Sequence, residues 1–185
     1  MKVPQPFPYQ GSKRNLASAI LGYFPEGVGT LIEPFAGSAA ITLAAATANL
    51  AENFVINDFN GPLAELWRAI VNSPEKLGRR YQSLWRAQHS NRRRFYDEMR
   101  DEFNRTGKPD LLLYLLARCV KAAVRYNASG EFNQSPDNRR RGMLPECSPP
   151  RCAKIFSPPR QYFEAEQNAR RATIRKWSRM QQHPI

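Results

Sequence analysis

The sequence predicts an α/β fold in which one βαβ unit precedes a basic, mainly helical region. Two short apolar runs flank a glycine turn and an alanine-rich stretch, which is the pattern of strand, turn, helix and strand. After residue 60, apolar residues recur at helical spacing among many arginines. Apolar residues make up 42% of the 185, enough for the core of one domain or of one domain with an insert.

The first 60 residues contain the elements of the βαβ unit. Apolar residues at helical spacing predict a helix over 12–24, which Pro25 ends. Strands are predicted over 30–35 and 53–57, with a helix over 39–50 between them and a right-handed crossover. We therefore expect a small parallel sheet with its helix packed against it.

The rest of the chain is predicted to be helical, with long loops toward its end. We divide the sequence into an α/β unit over 1–60, a basic helical region over 61–160 and a helical tail over 161–185. The predicted elements, in chain order, are helices over 62–72, 74–88, 91–104 and 111–126, a loop over 127–135, a proline-rich loop over 136–160 and a charged helix over 161–180.

Charge is unevenly distributed along the chain. The whole sequence carries 28 basic and 16 acidic side chains, a formal net charge of +12, and its isoelectric point is near 10.1. Residues 1–60 hold three basic and four acidic side chains, so the excess lies after residue 60. Most of it is arginine, which suits bidentate contacts with phosphate and guanine. These features favour a small-molecule site beside a nucleic-acid surface; a basic surface that merely keeps the protein soluble is the alternative.

Composition also excludes several classes of protein. No apolar run approaches the roughly 18 residues that a membrane-spanning helix needs, and the first residues do not resemble a signal peptide. An odd number of cysteines, Cys119, Cys147 and Cys152, is typical of a reducing compartment. His89 and His183 lie at no zinc-binding spacing from a cysteine pair. We expect a cytoplasmic protein with no membrane partner and no metal site.

Acidic side chains follow or end both predicted strands. Glu33 lies at the end of the first strand, where Gly37 allows a sharp turn and a close approach to a ligand. Asp58 follows the second strand, the position from which a carboxylate binds ribose hydroxyls in doubly wound folds. The turn has neither a dinucleotide nor a Walker pattern, so a nucleoside without phosphates is favoured. An ordinary turn, with Asp58 capping the helix that begins near Pro62, is the alternative.

Four motifs follow one another in order along the chain. They are Pro8-Tyr9-x-Gly11-Ser12-Lys13, Glu33-Pro34-Phe35-x-Gly37-Ser38, Asn57-Asp58-x-Asn60 and Arg125-Tyr126-Asn127-x-x-Gly130-x-Phe132-Asn133. Together they resemble one enzyme family, the adenine-specific DNA methyltransferases of the Dam class, or D12 group. The resemblance runs from about residue 6 to about residue 136.

The resemblance implies a partial Rossmann-like methyltransferase domain that binds S-adenosylmethionine, with a mainly helical insert for recognising double-stranded DNA. Residues 1–60 would be the first part of the cofactor domain, and 61–160 the target-recognition region. Glu33 would face the methionine part of the cofactor, and Asp58 the ribose. The implied cofactor residues are Tyr9, Lys13, Glu33, Phe35, Ala36, Gly37 and Asp58.

Two groups of residues are predicted to bind DNA. Arginine and asparagine are shaped for guanine and adenine edges, and the family-like segment supplies Arg125, Asn127 and Asn133. Two arginine triplets are predicted to contact phosphates, although a solvated helix face and a mobile loop are equally simple explanations for them. The triplets are Arg92, Arg93 and Arg94, and Arg139, Arg140 and Arg141.

The sequence departs from the family at the catalytic motif. The family carries Asp/Asn/Ser-Pro-Pro followed by an aromatic residue, which holds the adenine amino group and stacks on the extruded base. This chain has Ser148-Pro149-Pro150-Arg151 and Ser157-Pro158-Pro159-Arg160, which are better explained as a proline-rich loop, and it ends at Ile185 about where the third strand would begin. We therefore assign no catalytic residue.

These departures lead to three expectations. The chain is a bacterial or phage-encoded DNA adenine N6-methyltransferase that is inactive alone or active with a complementing polypeptide. A non-enzymatic DNA-binding module is the alternative, and an unrelated nucleoside-binding domain is a third hypothesis.

With only two strands the isolated chain should have low stability. Ala39 replaces the family's usual glycine, and its methyl group is expected to crowd the cofactor.

Overall fold

A computed structural model describes residues 3–88 and 91–145. Six helices and two strands are labelled here in chain order, beside short 3-10 turns at Lys13–Asn15 and Val120–Ala122. They are α1 (Ala17–Leu21), β1 (Val28–Glu33), α2 (Ala40–Thr47), β2 (Ala51–Ile56), α3 (Gly61–Asn72), α4 (Pro74–Ala87), α5 (Arg92–Thr106) and α6 (Pro109–Arg118). The predicted helix over 161–180, the two Ser-Pro-Pro-Arg segments, both histidines and two of the cysteines lie outside the described residues.

The two strands form a parallel sheet, which confirms the predicted α/β class. Val28 pairs with Ala51 at one end of the register and Glu33 with Ile56 at the other. Helix α2 lies between the strands in sequence and is buried over most of its length. Its alanines allow the backbone to pack closely on the sheet, because small side chains bring a helix near its neighbours.

The helical region (residues 61–145) packs around α6. Every residue from Leu111 to Arg118 is buried, and α6 contacts α3, α4 and α5. Local signals set the helix ends: the side chain of Asn60 caps α3, that of Asn91 caps α5, and Gly107 ends α5 in the left-handed conformation. This arrangement gives the helices one shared apolar core.

The sheet region (residues 3–60) joins the helical region through α3. The indole Nε1 of Trp67 donates a hydrogen bond to the carbonyl of Gly37 at 2.8 Å. The rings of Phe7 and Trp67 are 5.4 Å apart. The turn after β1 is therefore held from the helical side.

Several predicted boundaries are wrong. The helix expected over 12–24 is only the short α1, because Leu16 and Tyr23 are exposed and have no core to pack against. Both strands begin and end earlier than predicted. β1 ends at Glu33 because Pro34 has no amide hydrogen with which to continue its ladder.

The helix expected over 111–126 ends at Arg118, eight residues early. Beyond it, Cys119 pairs with Pro136 in an isolated antiparallel bridge. The amide of Val120 donates to the carbonyl of Ser135 at 3.0 Å. Pairing with a distant segment thus replaces helical hydrogen bonds, and helical periodicity does not reveal such pairing.

Candidate functional site

The predicted cofactor residues surround one cleft of about 270 Å³ at the carboxyl ends of β1 and β2. β1 and β2 end at the same edge of the sheet because they are parallel. Its lining includes all seven residues predicted from the sequence, namely Tyr9, Lys13, Glu33, Phe35, Ala36, Gly37 and Asp58, together with Gly11, Ser12, Ser38 and Ala40.

Gly37 forms the tight floor of the cleft. Its φ of +52° is in the left-handed region, and an added Cβ would lie 3.0 Å from Cε1 of Tyr9. Glycine is therefore favoured both by conformation and by space. The carbonyl of Gly37 is fixed by Trp67, as described above, so the turn presents a rigid backbone to the cleft.

Asp58 ties the two strand ends together. Its Oδ2 accepts a hydrogen bond from the amide of Gly37 at 2.8 Å, and its Oδ1 accepts one from the amide of Asn60 at 2.9 Å. The cap of α3 is Asn60, whose Oδ1 accepts from the amide of Leu63 at 3.4 Å. The alternative in which Asp58 caps α3 is therefore wrong. The Asp58 carboxylate lines the cleft and keeps lone pairs that the amides of Gly37 and Asn60 do not occupy.

Glu33 links the end of β1 to the start of α2. Its Oε2 accepts hydrogen bonds from the amide of Thr42 at 3.0 Å and from the Thr42 hydroxyl at 2.6 Å. Burial raises the pKa of the Glu33 carboxyl above its ordinary value; hydrogen bonds from Thr42 oppose that rise, and the charge of Asp58 adds to it. Two carboxylates in one small cleft make it attractive to a cation.

Aromatic and hydroxyl groups complete the cleft. Burial raises the pKa of the Tyr9 phenol, as do, more weakly, the nearby Asp58 and Tyr126. Phe35 is 72% exposed and presents its ring at the mouth. The hydroxyls of Ser12 and Ser38 are 2.7 Å apart, which joins the Tyr9 segment to the turn after β1. Exposed Lys13 lies on the rim.

Ala39 does not line the cleft, contrary to the expectation that its methyl group crowds a cofactor. It is fully buried in the main core. Its φ of +46° is left-handed, so the position is one where glycine would be the unstrained residue.

The arginine triplets lie on the surface of the helical region. Arg93 pairs with Asp97 at 2.9 Å and Arg94 with Glu98 at 2.8 Å, both exposed pairs on α5. Exposed pairs of this kind contribute little to stability, so these arginines can exchange their partners for phosphates. Arg92 begins the same helix and is half-buried.

The second triplet follows a buried acid. Arg139 and Arg140 pair with Asp137 at 3.2 and 3.4 Å, and hydrogen bonds from Arg139 hold the pKa of that carboxyl below its usual value. Arg141 is exposed, and its carbonyl accepts from Gln88. Asp137 thus anchors the base of the triplet while the guanidinium groups face solvent.

The family-like segment 125–133 forms a narrow loop closed by an antiparallel bridge between Tyr126 and Phe132. The side chain of Asn127 is used within the loop: its Oδ1 accepts from the amides of Ser129 and Glu131 at 3.0 and 2.9 Å. The Arg125 and Asn133 side chains are exposed. We therefore distinguish Asn127, which shapes the loop, from Arg125 and Asn133, which point out of it toward solvent.

Sequence reasoning assigned no role to three contributors to the site. Asn104 of α5 clamps the loop, since its side chain bonds both the amide and the carbonyl of Phe132, at 2.8 and 3.1 Å. Trp67 fixes Gly37, and Asn60 caps α3. Only Asn60 carried a usable signal, because it stands immediately before a Gly-Pro helix start.

Two other features bear on the class of protein. Within 3–88 and 91–145, no helix combines the length and apolar character that crossing a membrane requires. The same part of the chain holds no group of three or more histidine, cysteine or acidic side chains that could bind a metal ion.

The fold and the cleft define an α/β protein whose two strand-end carboxylates meet at a glycine turn, next to an arginine-rich helical region. Residues 9–144 match the family model of the D12 class of N6 adenine-specific DNA methyltransferases. The chain belongs to this family, as its ordered motifs predicted. Members of the class transfer a methyl group to adenine in DNA, which implies a methyl donor and a DNA substrate.

Curated relatives agree with this assignment. The chain is 30% identical over 144 residues to the retron Ec67 DNA adenine methylase of Escherichia coli, a match covering 75% of this chain and 48% of the relative. It is 30% identical over 132 residues to the type II methyltransferase M.CviBI of Paramecium bursaria Chlorella virus NC1A, covering 68% and 46%. The DNA adenine methylase of Haemophilus influenzae is 28% identical over 129 residues, covering 68% and 44%. The chain spans about half the length of these relatives.

Proposed function

We propose that this chain is the cofactor-binding and target-recognising part of a DNA adenine N6-methyltransferase that uses S-adenosylmethionine. The observation that carries the proposal is the convergence of Glu33, Gly37 and Asp58 on one cleft, in a chain whose family acts on DNA. The alternative of a non-enzymatic DNA-binding module is not favoured, because such a module has no use for a cofactor cleft.

The cleft has a donor and acceptor set that suits S-adenosylmethionine. Asp58 would accept hydrogen bonds from the ribose hydroxyls with the lone pairs that the amides of Gly37 and Asn60 leave free. Glu33 would bind the ammonium of the methionine part, and the rings of Tyr9 and Phe35 would flank the adenine. When bound, the cofactor supplies an electrophilic methyl group for the adenine amino nitrogen.

The helical region would bind double-stranded DNA. Arg125 and Asn133, whose side chains make no hydrogen bond within the described residues, are proposed to read base edges, and Asn127 to hold the loop that carries them. The triplets at Arg92–Arg94 and Arg139–Arg141 are proposed to contact phosphates, which position the protein without specifying a sequence. The exposure of Arg93 and Arg94 and of the whole second triplet supports this division.

Methyl transfer is proposed to need a complementing polypeptide or segment that carries the catalytic motif and further strands of a Rossmann-like sheet. Ile32 is 61% exposed and Phe35 is 72% exposed, beside a sheet that has only two strands among the described residues. Parallel sheets are normally covered on both faces. The exposed apolar side chains of Ile32 and Phe35 support the proposal that a further layer of structure covers the sheet here.

The proposal is tested with a labelled 30-base-pair duplex of mixed sequence. We expect binding at low salt that weakens steeply as salt rises, because each phosphate contact releases counterions. Replacing Arg139, Arg140 and Arg141 together by alanine should flatten the salt dependence by about three contacts. A matched control replaces Lys76, Arg79 and Arg80 on α4, which removes the same charge elsewhere.

Three results would contradict the proposal. Absence of DNA binding at low salt would remove the DNA-recognition role. Methyl transfer to DNA by the purified chain alone, measured with radiolabelled S-adenosylmethionine, would overturn the need for a complementing segment. Equal effects of the triplet and of its control would show that only net charge matters, which contradicts the proposed phosphate contacts.

A further inference from the structure

The connector (residues 119–126) runs from α6 into the recognition loop (residues 125–133) and bonds at two points to residues that neighbour the cofactor cleft. The amide of Gln10, next to Tyr9, donates to the carbonyl of Ala122 at 2.9 Å. The hydroxyl of Tyr126 donates to Oδ1 of Asn60 at 3.1 Å. The connector therefore links the loop proposed to read DNA with residues next to Tyr9 and Asp58, which line the cleft.

Asn60 relays the second contact to the carboxylate of the cleft. Its side-chain oxygen receives the Tyr126 hydroxyl and also the amide of Leu63, while its own amide donates to Asp58 at 2.9 Å. Asp58 in turn accepts from the amide of Gly37 at 2.8 Å. A continuous path of hydrogen bonds thus runs from the recognition loop to the glycine turn.

The connector itself is strained. Lys121 and Ala122 both have left-handed backbone angles, with φ of +58° and +50°, although neither is glycine. Residues stay in such conformations only where their surroundings fix them. Here the bridge from Cys119 to Pro136 and the bond from Gln10 to Ala122 supply that constraint.

We propose that Tyr126 and Asn60 are positioning residues that couple occupation of the recognition loop by DNA to the affinity of the cofactor cleft. The inference rests on the proposed function. Tyr126 is 36% exposed on a solvent-facing loop, so DNA bound there would fix the ring and strengthen its hold on Asn60. Asn60 would then hold the Asp58 carboxylate in the position that receives the ribose.

Coupling is a property of equilibrium binding and is reciprocal. If DNA raises the affinity for the cofactor by some factor, the cofactor raises the affinity for DNA by the same factor. A hydrogen bond that only stabilises the loop would change stability without producing this factor. The two roles are therefore separable by measuring one ligand in the presence and absence of the other.

The experiment titrates S-adenosylhomocysteine into the full chain by calorimetry, with and without a saturating 30-base-pair mixed-sequence duplex. For the wild type we expect DNA to tighten S-adenosylhomocysteine binding about fivefold or more. Tyr126→Phe keeps the ring contact with Phe132 and removes only the hydroxyl, so the factor should fall to near one. Tyr23→Phe, at a 90% exposed ring, is the matched control and should leave the factor unchanged.

A second variant keeps the test independent of folding. Asn60→Gly retains the amide that faces Asp58, and glycine is tolerated at a helix N-cap, but it offers no side-chain acceptor to Tyr126, so it should lose the same factor. The double variant should lose no more than either single change. If the wild type binds both ligands but neither changes the affinity for the other, the inference is overturned. It is also overturned if Tyr126→Phe retains the coupling. Both outcomes leave the proposed function standing. Failure of the wild type to bind either ligand would reject the proposed function and the inference with it.

Discussion

The sheet region and the helical region reach their folded state by different means. In the helical region, α6 is buried from Leu111 to Arg118, and three helices pack around it. In the sheet region, side-chain carboxylates hold the turns, and Ile32 is 61% exposed. The region that holds the proposed cofactor cleft is the one with less apolar cover.

This difference shows how the cleft is ordered where the described residues supply two strands of sheet. Trp67, which belongs to the helical core, fixes Gly37 at 2.8 Å. Asp58 and Glu33 then tie that turn to α3 and α2 through backbone amides. Stability in the helical region is thus a condition for the geometry of the cleft.

The largest expected effect comes from the centre of α6. Leu115 is fully buried, so Leu115→Ala should lower the free energy of unfolding by about 2–5 kcal/mol. Ile32→Ala, its counterpart in the sheet region, should change it by less than about 0.5 kcal/mol. Urea unfolding followed by circular dichroism measures both. Equal losses would contradict the contrast between the two regions.

Gly37→Ala should have the next largest effect. The new methyl group would lie 3.0 Å from the Tyr9 ring at a left-handed position, so we expect a loss of about 1–2 kcal/mol in unfolding free energy. S-adenosylhomocysteine binding should fall as well, because Tyr9 must move. Gly107→Ala is a matched control, since its φ is also left-handed but no atom lies within 4 Å of an added Cβ. An undiminished ligand affinity in Gly37→Ala would contradict the assigned role of this turn.

Glu33→Gln should separate binding from stability. The amide oxygen still accepts from Thr42, so folding is retained, whereas affinity for S-adenosylhomocysteine should fall about tenfold, roughly 1.4 kcal/mol. Binding should also weaken in the wild type as acid protonates Glu33, in the pH range above its ordinary pKa because burial raises that pKa. Isothermal titration across pH checks this. A wild-type affinity that stays constant down to pH 4.5 would contradict it.

The same carboxyl has a predicted effect on stability of opposite sign. Because its pKa is raised in the folded state, the folded state holds the proton more tightly than the unfolded state. The contribution of Glu33 to stability is therefore present in acid and declines as pH rises from the unfolded pKa through the folded one. Glu33→Gln should remove that decline, which urea titrations at several pH values would measure.

Ala39→Gly should have the smallest effect. Relief of about 1–2 kcal/mol of left-handed strain is offset by about 0.8 kcal/mol for one lost buried methyl group and by the greater chain entropy of glycine. The net change should stay within about 0.5 kcal/mol, with ligand affinity unaltered because Ala39 does not line the cleft. A tenfold gain in affinity would instead indicate that its methyl group crowds the ligand.

Sequence reasoning predicted the cleft better than it predicted the connections around it. Strand ends and a glycine turn are local features, and they were sufficient to bring Glu33, Gly37 and Asp58 together. The end of α6 at Arg118 depends on pairing between Cys119 and Pro136, which no local pattern reveals. Asn104, whose contact with Phe132 joins residues 28 apart, was missed for the same reason.

The proposed function requires a cleft that is already formed in this chain, and a thermal melt with S-adenosylhomocysteine tests this most directly. The free chain should melt cooperatively below about 60 °C, as suits the two-stranded sheet of the described residues. Ligand at about 100 times its dissociation constant should raise the unfolding free energy by roughly 2.7 kcal/mol and move the melt upward. A cooperative melt that the ligand leaves unchanged would contradict the account.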